Sequence, residues 1–416
     1  MTPMSPATQP AQKLPDPAEL MAIGRAHGLD AVGIAPATPF ATTRRHLEQR
    51  KTAGLHGQMA FTYRRPARST DPSAALSDAR ALVVGARSYR RAAPSEVTAA
   101  APEESASASS EAPAGSLDGL PAGSSDESQP APPAGRVARY AWEDHYQPLR
   151  AALSAIAARL KAEGWRTRVA VDDNALVDRE AAYRAGLGWY GKNANLLLPG
   201  QGSWFVLGSV ITDAPLPPTR PDERVPDGCG SCTKCMTGCP TGAIVAPGVV
   251  DARRCLAWLV QAEGWFPRQH RVALGDRIYG CDDCQEVCPP NRRLDRRGAE
   301  PAPAGGHDAQ PVVDLLAMLA ASDEELLARH GRWYIPRRQP RYLRRNALIA
   351  LGNVADPRDP EVTRALARAL ADPDPIVRGH AAWAVRRLGH GELAAALAED
   401  PDPAVRTEAT AEVETR

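Results

Sequence analysis

The cysteines constrain this chain more than any other feature. One run, C-G-S-C-T-K-C-M-T-G-C-P, extends from Cys229 to Pro240. Its C-x₂-C-x₂-C-x₃-C-P spacing is typical of iron–sulfur proteins, in which three thiolates bind one cluster and the fourth binds a second. A second run, C-D-D-C-Q-E-V-C-P, begins at Cys281 and has Ile278 where the first cysteine of a complete run would stand. We expect Cys255, the only other cysteine in the chain, to supply the missing ligand.

Two complete sets of four thiolates follow if the runs cross as they do in two-cluster ferredoxins. The first predicted set is Cys229, Cys232, Cys235 and Cys288. The second predicted set is Cys239, Cys255, Cys281 and Cys284. Pairs of C-x₂-C motifs also bind zinc, but the crossed spacing and the proline after each terminal cysteine favour two 4Fe–4S clusters. We expect no disulfides, because no secretory signal precedes the cysteines.

Composition places few limits on the partners of the chain. The chain has 416 residues, 43% of them hydrophobic, which suits two to four domains. Lys and Arg number 50 and Asp and Glu number 49, so a nucleic-acid surface must come from a local cluster. No apolar run approaches the ~20 residues of a membrane span, and the first residues do not read as a signal peptide. We therefore expect a cytoplasmic protein with no membrane contact.

Helical and strand patterns alternate through the first half of the chain. Helices are predicted at 19–27, 149–160 and 180–185, and strands at 31–35, 81–85, 166–171 and 203–211. This alternation indicates an α/β or α+β domain, and we expect a catalytic α/β domain at 16–225 after a disordered tail at 1–15. Residues 93–135 are rich in Ala, Ser, Pro, Glu and Gly. That composition cannot offset its ordering entropy, so a disordered insertion that catalysis does not need is predicted there.

The second half of the chain begins with the cysteine module, which we place at 226–300 as a ferredoxin-like domain. From Val312 onward the pattern predicts helices only. The pentapeptide D-P-x-V-R occurs at 374–378 and again at 402–406, each time at the start of a predicted helix. Short stacked helices of this kind are typical of HEAT-type solenoids, which we place at 308–416. The predicted fold class is therefore an α+β multidomain protein with an all-α C-terminal region.

The densest polar stretch outside the cysteines extends from Val171 to Leu197. Asp172 stands at the end of a predicted strand, where α/β folds place residues that face ligands. A helix cap is the alternative, and Asp172 or Asp173 could serve as one. Glycines in the same stretch would allow a large ligand to approach the backbone, although their spacing is not a dinucleotide fingerprint. These glycines are Gly186, Gly188 and Gly191.

Together these motifs resemble the epoxyqueuosine reductase family. The matching segments are M-A-F at 59–61 with Arg68, R-Y-A at 139–141, V-D-x-x-x-L-V-D-R at 171–179, A-G-L-G-W-Y-G-K-N at 185–193, G-S-W-F-V-L-G at 202–208, D-A-R-R-C at 251–255 and R-I-Y-G-C-D-D-C-Q-E-V-C-P at 277–289. The resemblance covers nearly all of the chain outside the N-terminal tail and the predicted insertion. The chain departs from the family at that insertion, and at Tyr190 and Asn193, where relatives vary.

The resemblance implies an oxidoreductase that reduces epoxyqueuosine to queuosine at the wobble position of tRNAs with GUN-type anticodons. It implies cob(II)alamin bound base-off between the α/β domain and the clusters, and two 4Fe–4S clusters that relay electrons. Asp172 matches the family's proton donor. Arg179, Lys192, Asn193 and Ser203 lie in family motifs and are assigned to the cobalamin pocket. We expect a monomer that receives electrons from an external low-potential donor of the flavodoxin or ferredoxin kind.

Two other functions compete with this interpretation. A non-enzymatic two-cluster electron carrier would need neither cobalamin nor a partner domain of about 200 residues. A cobalamin-dependent reductive dehalogenase would use related chemistry. Such enzymes typically carry a twin-arginine leader, which we do not find at the start of this sequence, and they lack a helical-repeat tail.

A local basic cluster marks where tRNA could bind. Six arginines stand between Arg332 and Arg345, and no acidic residue follows until Asp356. Aromatic residues are interleaved with them, namely Trp333, Tyr334 and Tyr342. Arginine pairs with phosphate and aromatic rings stack on unpaired bases, so we predict that tRNA contacts Arg341, Arg344 and Arg345, with Arg341 and Arg345 turned outward. The alternative is a solvated helix face with ordinary salt bridges.

Overall fold

The computed structural model describes residues 12–90, 132–219, 225–298 and 309–413. Most of the predicted N-terminal tail and of the predicted 93–135 insertion lies outside these residues. The predicted C-terminal boundary of the insertion, at residue 135, is wrong, because Ala134–Val137 forms a strand. This strand pairs with two others that come from distant parts of the chain, so its partners could not be read from local composition.

A four-stranded sheet organises the first domain. Its strands stand in the order β1-β2-β7-β4, and the bounds are β1 Ala31–Pro36, β2 Ala81–Ser88, β4 Thr167–Val171 and β7 Phe205–Thr212. All three pairings are antiparallel. The strands predicted from apolar runs are confirmed, and the antiparallel pairing selects α+β packing over the parallel α/β arrangement that the sequence left open.

Helices cover both faces of this sheet. They are α1 Pro17–Ala26, α2 Ala41–Thr52, α3 Pro66–Ser69, α4 Tyr146–Ala162 and α5 Asp178–Arg184. On one face Val83 packs with Leu153 and Ile156 of α4. On the other face Leu82 packs with Ala181 of α5. Successive residues of β2 thus point to opposite faces, as strand geometry requires, and the sheet is buried on both sides.

A small hairpin follows α5, and two glycines make it possible. Its strands are β5 Trp189–Tyr190 and β6 Leu196–Leu197. A Cβ at Gly188 would lie 2.0 Å from the carbonyl oxygen of Leu197, and a Cβ at Gly191 would lie 2.4 Å from its Cδ1. These glycines therefore admit the facing strand. The structure thus gives these two glycines a packing reason, and the approach of a ligand to their backbone stays a prediction.

The cysteine module is built from short elements. They are α6 Lys234–Thr237, β8 Ile244–Ala246, β9 Val249–Val250, α7 Leu256–Leu259, α8 Arg271–Leu274, β10 Arg277–Tyr279, α9 Asp283–Glu286 and α10 Pro289–Arg296. β3 Ala134–Val137 pairs with β10 in parallel and with β11 Val312–Asp314 in antiparallel orientation. The prediction of helices only from Val312 onward is therefore wrong at its first three residues, which complete this sheet.

Helical repeats form the rest of the chain. The helices are α11 Leu315–Ala320, α12 Asp323–His330, α13 Arg341–Val354, α14 Pro360–Leu370, α15 Pro375–Arg387 and α16 Pro403–Thr410. Asp374 and Asp402 cap α15 and α16, and each accepts a backbone hydrogen bond of 2.8 Å two residues later. One hydrophobic core joins the repeats to the cysteine module through residues such as Phe266 and Ile278. In the part of the chain that the structure describes, no helix is long and apolar enough to span a membrane.

Candidate active site

A cavity of about 1770 Å³ lies where the three parts of the chain meet. This volume exceeds the ~300–1,000 Å³ of pockets that hold drug-sized ligands. Asp172 lines it from the sheet domain, Cys284 lines it from the cysteine module, and Trp333 lines it from the loop between α12 and α13 of the repeats. A cavity of this size and position can hold a large cofactor together with part of a substrate.

Asp172 enters this cavity from the end of β4. Its backbone has φ 49°, a left-handed conformation that Asp and Asn adopt more readily than most residues. The adjacent Asp173 has a structural role, since it accepts a hydrogen bond from the Ala175 backbone at 2.9 Å and pairs with Arg168 at 3.1 Å. The two aspartates that the sequence could not separate therefore differ, and Asp172 is the one that lines the cavity.

The surroundings of Asp172 favour its protonated form. Burial raises the pKa of Asp172, the Arg150 guanidinium opposes that rise, and Asp173 adds to it. Burial also raises the pKa of Asp178 well above its usual value, and the nearby Asp172 carboxyl raises it further. Because two neighbouring carboxylates resist ionising together, this pair retains a proton at higher pH than isolated aspartates. Such a pair suits general acid catalysis.

Two phenols lie near the same carboxyl pair. Burial raises the pKa of Tyr146 and of Tyr279, and the Asp172 carboxyl contributes to the rise in each case. Both rings line the cavity. They are neutral donors that the sequence analysis did not single out. The signal available in the sequence was weak, because Tyr279 stands between the two cysteine runs and Tyr146 begins an ordinary amphipathic helix.

Four of the eight thiols line the cavity and also lie close to one another. Burial raises the pKa of Cys284 well above its usual value, and the thiols of Cys281, Cys255 and Cys239 add to this rise. All four residues are part of the cavity wall. We call these four cysteines the proximal set. They form one of the two groups that a crossed arrangement requires.

The remaining four thiols form a second group farther from the cavity. Burial raises the pKa of Cys288 to about 11, and the thiols of Cys229, Cys235 and Cys232 add to this rise. Among the described residues that line the cavity, none belongs to this group. We call these four cysteines the distal set. Each cysteine run contributes to both sets, so two segments of five residues, 235–239 and 284–288, connect the sets directly.

Three of the four residues assigned to the cofactor pocket line the cavity. Arg179 donates a hydrogen bond to Asn195 at 3.2 Å, and Asn193 donates to the Cys284 carbonyl at 3.2 Å. Ser203 is buried, and its Oγ accepts hydrogen bonds from Gln285 at 3.0 Å and Asn291 at 2.9 Å. Asn193 and Ser203 thereby connect the cavity wall to the cysteine module.

The fourth residue, Lys192, has a different position. Its Nζ donates a hydrogen bond of 2.6 Å to the carbonyl of Gly230, which lies in the loop after Cys229. Lys192 is absent from the described residues that line the cavity. Its expected place in the cofactor pocket is therefore corrected. The residue holds the hairpin against the loop of the distal set.

The orientation predicted for Arg345 is wrong. The side chain is completely buried, and burial lowers the pKa of its guanidinium to about 9. It donates hydrogen bonds to four backbone carbonyls of the cysteine module, those of Leu259, Val260, Ala262 and Gly264. These carbonyls lie at and beyond the end of α7, so Arg345 caps that helix and cannot reach a phosphate.

The other two arginines that were predicted to contact tRNA form ion pairs with carboxylates. Arg341 pairs with Asp374 at 3.0 Å, and Arg344 pairs with Asp323. Both side chains keep partial exposure, at 32% and 16%. The acidic partners come from other helices of the repeats. A search for acids within the local sequence could therefore not find them.

Three exposed aromatic side chains line the cavity, namely Tyr190, Phe61 and Tyr334, and the last two extend the site beyond the predicted residues. Tyr334 is 56% exposed and Phe61 is 39% exposed. Both are cavity residues, and they come from opposite ends of the chain. Exposed rings of this size at a cavity are unusual, because large apolar surface normally stays buried. They provide a surface on which a planar group can stack.

Comparison with known families agrees with this architecture. A model of the 4Fe–4S double cluster binding domain matches residues 228–291, and a HEAT-repeat model matches residues 334–414. The fold and the site therefore define a two-cluster iron–sulfur protein with C-terminal HEAT repeats. This match favours clusters over the zinc alternative.

Curated relatives then identify the family. Epoxyqueuosine reductase of Bacillus anthracis is 32% identical over 375 residues, which cover 89% of this chain and 88% of the relative. Epoxyqueuosine reductase of Bacillus subtilis (strain 168) is 38% identical over 285 residues, which cover 66% of this chain and 71% of the relative. The chain belongs to the epoxyqueuosine reductase family and is an oxidoreductase. Family membership decides against both a simple electron carrier and a dehalogenase.

Solved structures of the family share the fold. An epoxyqueuosine reductase crystallised with an epoxyqueuosine-modified stem loop of tRNA-Tyr has a TM-score of 0.77 at 29% identity, covering 94% of this chain and 96% of that chain. A Bacillus subtilis structure, in which the catalytic aspartate loop is swung out of the active site, has a TM-score of 0.76 at 28% identity, covering 94% and 96%. The fold class predicted from the sequence is confirmed.

Proposed function

We propose that this chain reduces epoxyqueuosine in tRNA to queuosine, with cobalamin in the cavity, electrons relayed through two 4Fe–4S clusters and Asp172 as proton donor. The observation that carries the proposal is that the proximal thiols and Asp172 line the same cavity. A source of electrons and a source of protons thus face one space. Conversion of an epoxide to an alkene with loss of water consumes two electrons and two protons, and each cluster stores one electron.

The cavity fits a corrinoid by size and by the chemistry of its walls. Its volume suits a ligand larger than most cofactors, and its polar side chains include Arg179, Asn193 and Ser203. Oδ1 of Asp178 is buried and has no hydrogen-bond partner within the described residues, so a bound ligand could satisfy it. When bound base-off, cobalamin supplies a strong nucleophile in its lowest oxidation state. The three polar side chains would hold and orient it.

Asp172 is the proposed proton donor because it combines access with a raised pKa. Its carboxyl is exposed to the cavity, whereas Asp178 is less accessible. A proton is needed where the epoxide oxygen leaves, and a carboxyl with a raised pKa can supply it. The Asp172 carboxyl raises the pKa of Asp178, so the two carboxyls are neighbours, and Asp178 is a positioning residue in this scheme.

The order of electron transfer follows from the positions of the two sets. The proximal set borders the cavity, so its cluster would deliver electrons to the reaction. The distal set would receive them first. Cys255→Ala should remove or degrade the proximal cluster, lower iron and sulfide content toward half, and abolish turnover with any reductant.

Cys288→Ala is the matched control, because it should remove the distal cluster and spare the proximal one. This variant should lose a similar amount of iron but keep turnover when a small reductant such as dithionite is supplied. Unchanged iron content in Cys255→Ala would refute the ligand assignment. Equal turnover of the two variants with dithionite would refute the proposed order of electron transfer.

We propose that the anticodon loop enters at Tyr334 and Phe61. A modified base has to leave its stack to reach the cavity, and neighbouring loop bases can then stack on these exposed rings. Arg332 lies beside Tyr334 and also lines the cavity, so it is suitably placed near the RNA backbone. Arg341 and Arg344 remain candidates for phosphate contacts, provided that RNA can compete with their carboxylate partners.

The activity itself is tested by nucleoside analysis of tRNA. Cells that lack this protein should accumulate epoxyqueuosine, and the purified holoenzyme with dithionite should convert it to queuosine in isolated tRNA. Normal queuosine in the deletion strain, with no conversion by the enzyme, would refute the proposed function.

A further inference from the structure

The distal set lies beside a group of basic side chains that the proposed reaction does not use. α10 begins directly after Cys288, and its arginines are exposed to solvent. Lys234, which stands between two cysteines of the distal set, is exposed as well. We call this group the basic rim, and it consists of Lys234, Arg292, Arg293, Arg296 and Arg297.

The rim is turned away from the cavity because the opposite face of α10 is fixed. Asn291 is completely buried and donates to Ser203 Oγ at 2.9 Å. Asp295, one helical turn later, pairs with Arg139 at 3.1 Å. Residues four apart share a helix face, so these two side chains define the inner face. The arginines between and after them point outward, on the side opposite Ser203 and the cavity that it lines.

The acidic side chains near the rim that the structure describes are already engaged. Asp295 pairs with Arg139, as described above. Glu286 lies 3.7 Å from Arg136, and Asp227 accepts a hydrogen bond of 2.8 Å from the Cys229 backbone. Among the described residues, no carboxylate forms an ion pair with any of the five rim cations. The whole chain carries a formal charge of only +1, so the rim is a local excess of positive charge.

We propose that the basic rim is the docking surface for an acidic one-electron carrier protein that reduces the distal cluster. This inference rests on the relay proposed above. In each encounter the reduced carrier loses one electron and the distal cluster gains one, so two encounters supply the pair that the epoxide consumes. Opposite charges on the two surfaces would steer the encounter and increase its rate.

A protein partner fits the rim better than the tRNA substrate does. The modified base has to enter the cavity, whereas the rim faces the opposite side of α10. The distal thiols, in contrast, lie next to the rim and away from the cavity. A carrier that docks here would reach the distal cluster without displacing the tRNA, so electrons could enter while the substrate is bound.

The test compares reduction of the holoenzyme clusters by a protein carrier and by a small reductant. Reduced flavodoxin is the acidic carrier, and cluster bleaching is followed by anaerobic stopped-flow absorbance. Changing Arg292, Arg293 and Arg296 to Glu should lower the bimolecular rate constant at low salt by about tenfold or more. The wild-type rate should fall steeply with added salt, and the variant rate should not. Dithionite should reduce both proteins at the same rate.

Two control variants separate charge from structure. Changing the same three arginines to Lys keeps the charge and should keep the flavodoxin rate within about twofold, because steering depends on charge. Changing Arg358 and Arg368 to Glu alters charge on the repeats, far from any cysteine in the sequence, and should have no effect. Both residues are exposed.

Two results would overturn the inference. The flavodoxin rate could stay unchanged in the Glu variant while its affinity for tRNA falls, in which case the rim binds RNA. Both quantities could also stay unchanged, in which case the rim docks neither partner. Failure of dithionite to reduce the wild-type clusters would instead refute the relay itself, so the two failures are distinguishable.

Discussion

The polar stretch at 171–197 and the arginine-rich stretch at 332–345 look equally suited to function in the sequence, but they have different roles in the structure. The first places Asp172 and Arg179 at the cavity. In the second, Arg345 is buried, and Arg341 and Arg344 pair with carboxylates. The difference lies in what surrounds each stretch. Asp172 follows a strand whose end borders open space, whereas the three arginines of α13 lie where the repeats pack on one another and on the cysteine module. Arg332, at the start of the second stretch, lines the cavity.

The largest effect that this comparison predicts is the fall in turnover when the transferable proton of Asp172 is removed. Asp172→Asn keeps the shape of the side chain but removes the transferable proton, so turnover should fall by ~10²-fold or more. Cobalamin and both clusters should still bind, as judged by their absorbance spectra. Asp173→Asn is the control, because Asp173 lies outside the cavity lining, and turnover should change much less. Near-normal turnover in Asp172→Asn would move the assignment to Asp178.

The second prediction treats Arg345 as a structural residue. Arg345→Met should lower the free energy of unfolding by about 3–5 kcal/mol, because four buried carbonyls lose their donor. Since Cys255 directly precedes α7, the proximal cluster should also become more labile. Thermal denaturation and iron release on heating measure the two effects. An unchanged melting temperature would contradict the structural role.

How far the sequence could predict this molecule depends on the range of the interactions. The apolar run of β2 and the aspartate caps of α15 and α16 are local signals, and the predictions drawn from them agree with the structure. Cysteine spacing is also a local signal, and its prediction of two 4Fe–4S clusters agrees with the match to the double cluster binding domain, whereas the ligand sets stay a prediction. The positions of Lys192 and Arg345 depend on carbonyls of Gly230 and Leu259, which are 38 and 86 residues away in the chain. No local pattern encodes such contacts. The cavity could not be read from a local pattern either, because three parts of the chain that are distant in sequence form its walls.

The third prediction tests whether any of the arginine-rich stretch binds RNA. Changing Arg341 and Arg344 to Gln should alter stability by no more than ~1 kcal/mol per ion pair, because both pairs are partly exposed. If tRNA phosphates replace Asp374 and Asp323 as partners, affinity should fall and the salt dependence should flatten by roughly one unit of slope per contact. Filter binding at several salt concentrations measures both. Wild-type affinity and slope would leave these arginines with a purely structural role.

The smallest predicted effect is a change in pH dependence caused by Arg150. Its guanidinium donates to the Val171 carbonyl at 2.9 Å and lowers the pKa of Asp172, against the rise caused by burial and by Asp173. The required form of Asp172 is protonated, so turnover should be highest at low pH and should decline as the pH rises through its raised pKa.

Arg150→Gln removes the opposing charge, so the pKa of Asp172 should rise further and the decline should move to higher pH. At pH values below this decline, the turnover rate of the variant should stay within about threefold of the wild-type rate, because the Asp172 proton is still available. Arg159→Gln is the matched control, since Arg159 lies on the same helix but pairs with Glu19 and Glu163. Asp178, Tyr146 and Tyr279 also face this carboxyl, and they are unchanged in both variants. A shift to lower pH in Arg150→Gln, or an equal shift in the control, would show that another group controls the decline.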